Sequence, residues 1–218
     1  MSRSLLLDFN GVIINDEEQH RLALTAALDS YGIPLTSTDY YRDFLGFDDR
    51  ECFRHAFGVA GRPIDRDRLA EAVARKGVAY EAAIAHRMDL VPGAIAFIEA
   101  AYKDGIPMAI VSAARRSEIE FVLTTTGMHD LIDAVVAAED VTHCKPSPEG
   151  YLYGLDLLRA NPEDSVAVED SVPGMLAARA AGLTVAMLAT SHPREDLSAA
   201  DLVWDDFSGH LPRELPWP

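Results

Sequence analysis

Five polar residues stand at or soon after short apolar runs of the chain: Asp8, Ser112, Lys145, Glu169 and Asp170. Together they offer carboxylates, a hydroxyl and an ammonium. Mg²⁺ is bound by one or two carboxylates plus ligand oxygens, while a lysine and a hydroxyl suit a phosphate group. These residue types indicate a site for a dianionic ligand held with a hard cation. Asp8 is then placed to attack phosphorus, as carboxylates do in covalent catalysis.

The apolar runs predict the elements that must bring these residues together. We expect strands at residues 5–7, 108–111, 134–137, 165–168, 184–188 and 201–203. Helical patterns lie between them at residues 93–103, 117–126, 148–159 and 172–181. This alternation is typical of right-handed crossovers in a parallel sheet with helices on both faces. The predicted fold class is a doubly wound α/β core, whose ligand site lies beyond the carboxyl ends of the strands.

The segment after the first strand has a different pattern. Helical spacing recurs in it at residues 22–31, 40–45, 50–57 and 67–84, without strand-like alternation. We therefore predict a core domain made of residues 1–15 and 87–218, and a helical domain at 16–86 inserted into it. An insert that leaves the carboxyl edge of the sheet is expected to act as a lid.

Composition excludes several classes of function. The 218 residues are 49% hydrophobic and 25% charged, which is typical of a globular protein. With 35 acidic and 19 basic residues, the net charge of −16 repels nucleic acid and anionic lipid. No apolar run approaches the roughly 20 residues of a membrane span, and the N-terminus does not resemble a secretory signal. Two distant cysteines favour a reduced, cytoplasmic protein, and no obligate protein partner is evident.

The segments around the five polar residues resemble the four motifs of the haloacid dehalogenase (HAD) superfamily. These segments read LDFNGV at 7–12, VS at 111–112, KP at 145–146 and VEDSVPG at 168–174. The chain is most similar to the branch of β-phosphoglucomutase-like proteins and small-metabolite phosphatases, and the helical insert looks like a C1-type cap. The resemblance covers nearly the whole chain and thins after about residue 191.

The resemblance implies a role for each motif residue. Asp8 is the nucleophile that becomes an aspartyl-phosphate, and it is also a ligand of Mg²⁺. Ser112 and Lys145 hold the phosphoryl group. Asp170, with Glu169, completes the carboxylate ligands of the metal. The expected activity is Mg²⁺-dependent hydrolysis of a small phosphorylated metabolite.

Asn10 departs from the family pattern at a position that matters for turnover. Most family phosphatases have an aspartate here, which protonates the leaving alkoxide and then activates water. An amide cannot exchange a proton at neutral pH, and general acid–base help is worth roughly 10²–10⁴-fold in rate. The backbone carbonyl of Asn10, a metal ligand in the family, survives the change. We therefore expect binding to persist while hydrolysis is slow or restricted to particular substrates.

Three explanations of Asn10 remain open. It is an engineered substitution that traps a complex, or a natural residue in a protein that binds a phosphometabolite without useful turnover. In the third explanation it is natural and another group, such as Asp16, Glu17 or His20, donates the proton. We favour a natural, slow phosphatase over a non-catalytic sensor.

Other chemistries of the superfamily are less compatible with the sequence. Dehalogenases do not need the metal, so the intact pair of Glu169 and Asp170 argues against that activity. Phosphonate hydrolases use a cap lysine as a Schiff base, and Lys76 is the only lysine in the predicted cap, so this activity remains a less favoured alternative. A β-phosphoglucomutase needs the missing acid in both half-reactions, which disfavours it.

Substrate selection is expected to come from the cap and from the second motif. In the family, the loop that matches residues 44–50 points into the site. Besides Ser112 and Lys145, the candidate substrate-binding residues are Ala113, His20, Gly46, Arg50, Lys76 and Arg116.

Overall fold

The computed structural model describes residues 3–44 and 47–218, which divide into two compact units. One unit contains Met1–Asn15 and Asp89–Pro218, and the other contains Asp16–Met88. The second boundary lies two residues beyond the predicted one. The side chain of Gln19 donates a hydrogen bond of 3.2 Å to the carbonyl of Arg87, which ties the end of the insert to its own first helix.

The first unit is built on a six-stranded parallel sheet. Its strands are β1 (Ser4–Leu7), β2 (Met108–Val111), β3 (Ala134–Val136), β4 (Ser165–Glu169), β5 (Thr184–Leu188) and β6 (Leu202–Trp204). Their order is β3-β2-β1-β4-β5-β6 and every neighbouring pair is parallel. Strand order reverses beside β1, where doubly wound sheets form their ligand site. The predicted fold class is confirmed.

Among the described residues, one group of helices forms the insert and another alternates with the strands of the sheet. The insert contains α1 (Glu17–Asp29), α2 (Ser37–Asp43), α3 (Asp49–Val59) and α4 (Arg66–His86). The first unit contains α5 (Ala94–Lys103), α6 (Arg116–Thr126), α7 (Glu149–Leu158) and α8 (Val172–Ala180). Among residues 3–44 and 47–218, no helix has the length and apolar character needed to cross a membrane.

The central strands are buried on both faces, which explains their continuous apolar runs. Leu6 packs in one cluster with Leu155 of α7 and Met175 of α8. Leu5 and Leu7 point to the opposite face and are equally buried. The polar residues at the strand ends are therefore attached to a closely packed central sheet.

The two edge strands, β3 and β6, are each capped by an arginine. Arg116 donates a 3.1 Å hydrogen bond to the carbonyl of Val135 and forms a 2.5 Å ion pair with Asp140. Arg194 donates a 2.9 Å hydrogen bond to the carbonyl of Val203. A backbone acceptor on each edge is thus occupied by a side chain of the same molecule.

The buried side chain of Leu6 makes a stability test possible. We expect Leu6→Ala to lower the free energy of unfolding by about 2–5 kcal/mol, because it leaves a cavity beneath β1. Leu152→Ala removes the same atoms from a half-exposed position on α7 and should change stability by less than about 0.5 kcal/mol. Urea denaturation of both variants measures the difference, and equal effects would contradict this account of the core.

Candidate active site

Two adjacent strands bring three carboxylates together. Asp8 follows the end of β1, Glu169 is the last residue of β4, and Asp170 follows it. The strands are in register at Leu7 and Val168, and the backbone N–H of Asp8 donates to the carbonyl of Val168 at 2.9 Å. One ligand oxygen from each of the three carboxylates lies within 4.8 Å of the others, and all three residues are buried.

Lys145 supplies a positive charge to this cluster. Its Nζ lies 2.8 Å from Oδ1 of Asp8 and 2.5 Å from Oε1 of Glu169. The loop that carries it includes a cis peptide bond between Lys145 and Pro146. The ammonium therefore bridges the carboxyl ends of β1 and β4 from outside the sheet.

Glu169 is held by hydrogen bonds to both of its carboxylate oxygens. Oε1 accepts from Lys145 at 2.5 Å and from the hydroxyl of Tyr151 at 2.7 Å. Oε2 accepts from the backbone N–H groups of Asp170 and Ser171 at 3.1 and 3.3 Å, and from the Ser171 hydroxyl at 3.1 Å. The same hydroxyl accepts from the N–H of Gly174 and so caps α8. The side chain is completely buried, and these five donors fix its position.

Asp170 lies against Gly11, whose φ of +73° favours glycine. A Cβ added at Gly11 would overlap the carboxylate of Asp170. Asp170 also has a side-chain hydrogen bond with Ser191, and Thr190 donates a 2.6 Å hydrogen bond to the carbonyl of Gly11. The loop after β5 therefore helps to place the Asp170 carboxylate.

Burial shapes the electrostatics of this cluster. Burial first, and then the negative charge of Glu169, raise the pKa of Asp8 to about 6, although Lys145 opposes the shift. Burial, Asp8 and Glu169 raise the pKa of Asp170 well above its usual value. Burial by itself lowers the pKa of Lys145, but the two neighbouring carboxylates more than offset this effect. When all three carboxyl groups are ionised they face one ammonium, and a hard divalent cation would balance the excess negative charge.

Ser112 and Asn10 lie beside one another in the same unit. The hydroxyl of Ser112 makes a long hydrogen bond of 3.5 Å to Oδ1 of Asn10 and accepts from the N–H of Ala114 at 3.0 Å. The backbone N–H of Ser112 donates to the carbonyl of Val136, which extends the pairing of β2 and β3. Ala113 is exposed at this turn. Ser112 of the second motif therefore lies beside Asn10, the residue that departs from the family pattern.

Arg116 is engaged elsewhere. Its guanidinium is bound to the edge of the sheet by the carbonyl of Val135 and by Asp140, with Glu120 at 3.8 Å. The structure does not bring it together with the three carboxylates.

Two of the candidates from the insert meet inside the helical unit. Nζ of Lys76 lies 2.6 Å from Nδ1 of His20 and 2.7 Å from Oδ1 of Asp49, and only 2% of the Lys76 side chain is exposed. Arg50 is exposed on α3. Gly46 lies outside the described residues. The substrate-binding roles of these four residues stay predictions.

The alternative proton donors are also engaged within the helical unit. The hydroxyl of Tyr80 donates to Oδ2 of Asp16, and Nε2 of His20 lies 3.2 Å from the same oxygen. Glu17 accepts a 2.5 Å hydrogen bond from the hydroxyl of Tyr40. Each of the three groups therefore has a partner in its own unit.

Sequence reasoning missed Tyr151, Ser171 and Ser191. Ser191 follows β5, so the rule that located Asp8 and Ser112 could have found it. Tyr151 lies six residues beyond Lys145 in an apolar helical pattern, and nothing in that pattern distinguishes its hydroxyl from a core ring. Burial raises the pKa of Tyr151 well above its usual value, so its hydroxyl remains a donor.

Gly174 provides a test of how firmly Glu169 is held. A Cβ at this position would overlap the Glu169 carboxylate, which cannot yield without losing its partners. We expect Gly174→Ala to cost about 1–3 kcal/mol of unfolding free energy. Gly58→Ala, in α3 where an added Cβ meets open space, should be neutral or slightly stabilising. Thermal unfolding of the two variants decides, and equal midpoints would show that Glu169 is free to move.

Comparison with known proteins places this geometry in a family. Residues 5–188 match the family described as haloacid dehalogenase-like hydrolase. A validoxylamine A 7'-phosphate phosphatase of Streptomyces hygroscopicus subsp. limoneus is 30% identical over 219 residues, covering 100% of this chain and 98% of the relative.

Solved structures agree with the sequence comparison. CbbY of Rhodobacter sphaeroides, in complex with phosphate, has a TM-score of 0.85 and 26% identity, covering 96% of each chain. A mutant of that protein, in complex with xylulose-(1,5)bisphosphate, has a TM-score of 0.86 at the same identity and coverage. The predicted family is confirmed. The chain belongs to the haloacid dehalogenase-like hydrolases, a family that the curated phosphatase at 30% identity also supports.

Proposed function

We propose that the chain is a Mg²⁺-dependent phosphatase that hydrolyses a small phosphorylated metabolite through an aspartyl-phosphate on Asp8. The observation that carries the proposal is the buried carboxylate of Asp8, ion-paired with Lys145 and adjacent to Asp170 at the end of the central strand. The names of the relatives support the substrate class, because one is a phosphatase of a phosphorylated metabolite and another was crystallised with a sugar bisphosphate.

The reaction begins with attack of an Asp8 carboxylate oxygen on phosphorus. A bond forms between Asp8 and phosphorus, the ester P–O bond breaks, and the released alkoxide takes a proton. Water then attacks the phosphorus of the aspartyl-phosphate, which releases inorganic phosphate and restores the Asp8 carboxylate. Lys145 lowers the pKa of Asp8 against the effects of burial and of Glu169, which favours the ionised carboxylate that the attack requires.

Lys145 and Ser112 serve the phosphoryl group in this proposal. The ammonium of Lys145, already 2.8 Å from Asp8, offsets the repulsion between the incoming phosphate dianion and the carboxylates. Ser112 offers a hydroxyl that is oriented by the backbone N–H of Ala114 in the turn before α6.

The carboxylates of Asp8 and Asp170 and the backbone carbonyl of Asn10 are the proposed ligands of Mg²⁺. Glu169 was also expected as a ligand, but both of its oxygens already accept hydrogen bonds from the protein, so in this proposal it contributes its charge to the site. Oxygen donors and excess negative charge fit a hard cation. When bound, Mg²⁺ supplies charge neutralisation and orients the phosphoryl oxygens.

Asn10 sets the rate in this mechanism. Its amide lies next to Ser112 but cannot give a proton to the leaving alkoxide or accept one from water. Both proton transfers therefore rely on solvent or on another group. The same residue favours a second candidate function, a protein that binds a phosphometabolite without turning it over.

Substitution of Asn10 distinguishes these two functions. We expect the unaltered chain to release phosphate slowly from a panel of sugar and short-chain phosphates, and Asn10→Asp to be roughly 10²–10⁴-fold faster. Asp8→Asn, which keeps the size of the nucleophile and removes its charge, should abolish release. Colorimetric phosphate detection with and without Mg²⁺ measures all three proteins. Release by Asn10→Asp alone would favour the binding protein, and undiminished release by Asp8→Asn would exclude the proposed intermediate.

Metal binding has a readout that is independent of turnover. Mg²⁺ should raise the thermal unfolding midpoint of the unaltered chain, because it relieves repulsion among buried carboxylates. A ligand at one hundred times its Kd adds about 2.7 kcal/mol to stability. Asp170→Asn should lose most of this gain, whereas Asp156→Asn, on the exposed side of α7, should keep it. The same gain in both variants would show that Mg²⁺ binds elsewhere.

A further inference from the structure

Tyr151 contacts Lys145 and Glu169, two charged residues beside the proposed nucleophile Asp8. It lies on α7 and its side chain is completely buried. Its hydroxyl donates a 2.7 Å hydrogen bond to Oε1 of Glu169, the oxygen that also accepts from Lys145. The Nζ of Lys145 lies over the ring of Tyr151, 5.3 Å from the ring centroid.

We propose that Tyr151 is a positioning residue that places the ammonium of Lys145 for phosphate binding by acting through Glu169. This inference rests on the proposed function, since it assigns Lys145 to the phosphoryl group. It concerns a residue outside the four motifs.

The need for such a residue follows from the chemistry of lysine. An ammonium at the end of a flexible four-carbon chain has no preferred direction of its own, unlike a planar guanidinium. In this site its direction is set by three neighbours, which are the carboxylates of Asp8 and Glu169 and the ring face of Tyr151. A cation over an aromatic ring is attracted to it, so the ring of Tyr151 adds to the attraction that the two carboxylates exert on the ammonium.

The hydroxyl of Tyr151 has a separate effect. Three donors hold Oε2 of Glu169 and all of them belong to residues 170 and 171, directly after β4. Oε1 has two donors, Lys145 and Tyr151. Without the hydroxyl, Lys145 would be the only one of these two donors left on Oε1 of Glu169. Lys145 is also the group that is proposed to bind the phosphoryl group. The hydroxyl thus keeps Glu169 in place when Lys145 turns toward a phosphate.

A matched pair of tyrosines on one helix makes this testable. Tyr151→Phe removes the hydroxyl and keeps the ring, and Tyr153→Phe makes the same change two residues along, where the side chain is 41% exposed. Calorimetry with inorganic phosphate in the presence of MgCl₂ is the measurement, with urea unfolding alongside it. We expect phosphate affinity to fall about tenfold in Tyr151→Phe and to stay unchanged in Tyr153→Phe. In a Glu169→Gln background, Tyr151→Phe should change the affinity by less than about twofold, because the two residues act together.

Equal affinities in Tyr151→Phe and Tyr153→Phe would overturn the inference, as would a full tenfold effect in the Glu169→Gln background. A merely structural role would lower the unfolding midpoint and leave the affinity of the folded protein unchanged. If Glu169→Gln does not fold, the two tyrosine variants alone decide. Phosphate binding needs no turnover, so an unaltered chain that binds phosphate but never hydrolyses an ester refutes the proposed phosphatase and still tests Tyr151. An unaltered chain that does not bind phosphate refutes both.

Discussion

The repulsion among three buried carboxylates is the constraint on which the rest of the site depends. Asp8, Glu169 and Asp170 lie together because two parallel strands end side by side, and Lys145 offsets only part of their charge. Such a cluster is costly unless its members are hydrogen-bonded or paired. The five donors around Glu169, the ion pair of Asp8 with Lys145 and the hydrogen bond between Asp170 and Ser191 meet this requirement. The folded protein thus holds three carboxylates close together, as the proposed binding of Mg²⁺ and a phosphate requires.

The fold could be predicted because its signals are local. Buried central strands read as short apolar runs, and their alternation with helical spacing leaves few topologies. The predicted ends of individual helices are less accurate than the predicted order of elements. The spacing placed the first helix of the insert at residue 22, but α1 begins at Glu17, because its polar first turn hides the apolar periodicity. Acidic side chains interact favourably with the positive N-terminal end of a helix dipole, so the acidic run Asp16, Glu17 and Glu18 indicates a helix start. This signal could have corrected the predicted boundary.

The site could be predicted in part, for a different reason. Parallel strands end at one edge, so residues far apart in sequence, such as Asp8 and Asp170, were expected to meet. No comparable rule predicts which side chains will contact these residues. Tyr151 was hidden in a core pattern, and the guanidinium of Arg116 has nearer partners at the edge of the sheet. Contacts of this kind depend on which rotamers the packed structure allows, and this information is not present in spacing.

The arginines on β3 and β6 have a consequence for the behaviour of the protein in a crowded solution. An open sheet exposes unpaired backbone N–H and C=O groups on both of its edge strands, and a strand of another molecule can pair with them. The carbonyls of Val135 and Val203 already accept from Arg116 and Arg194. An incoming strand must displace a charged group that is also held by an ion pair or a hydrogen bond. At Val135 and Val203 the edge strands are therefore poorer templates for a strand of another molecule.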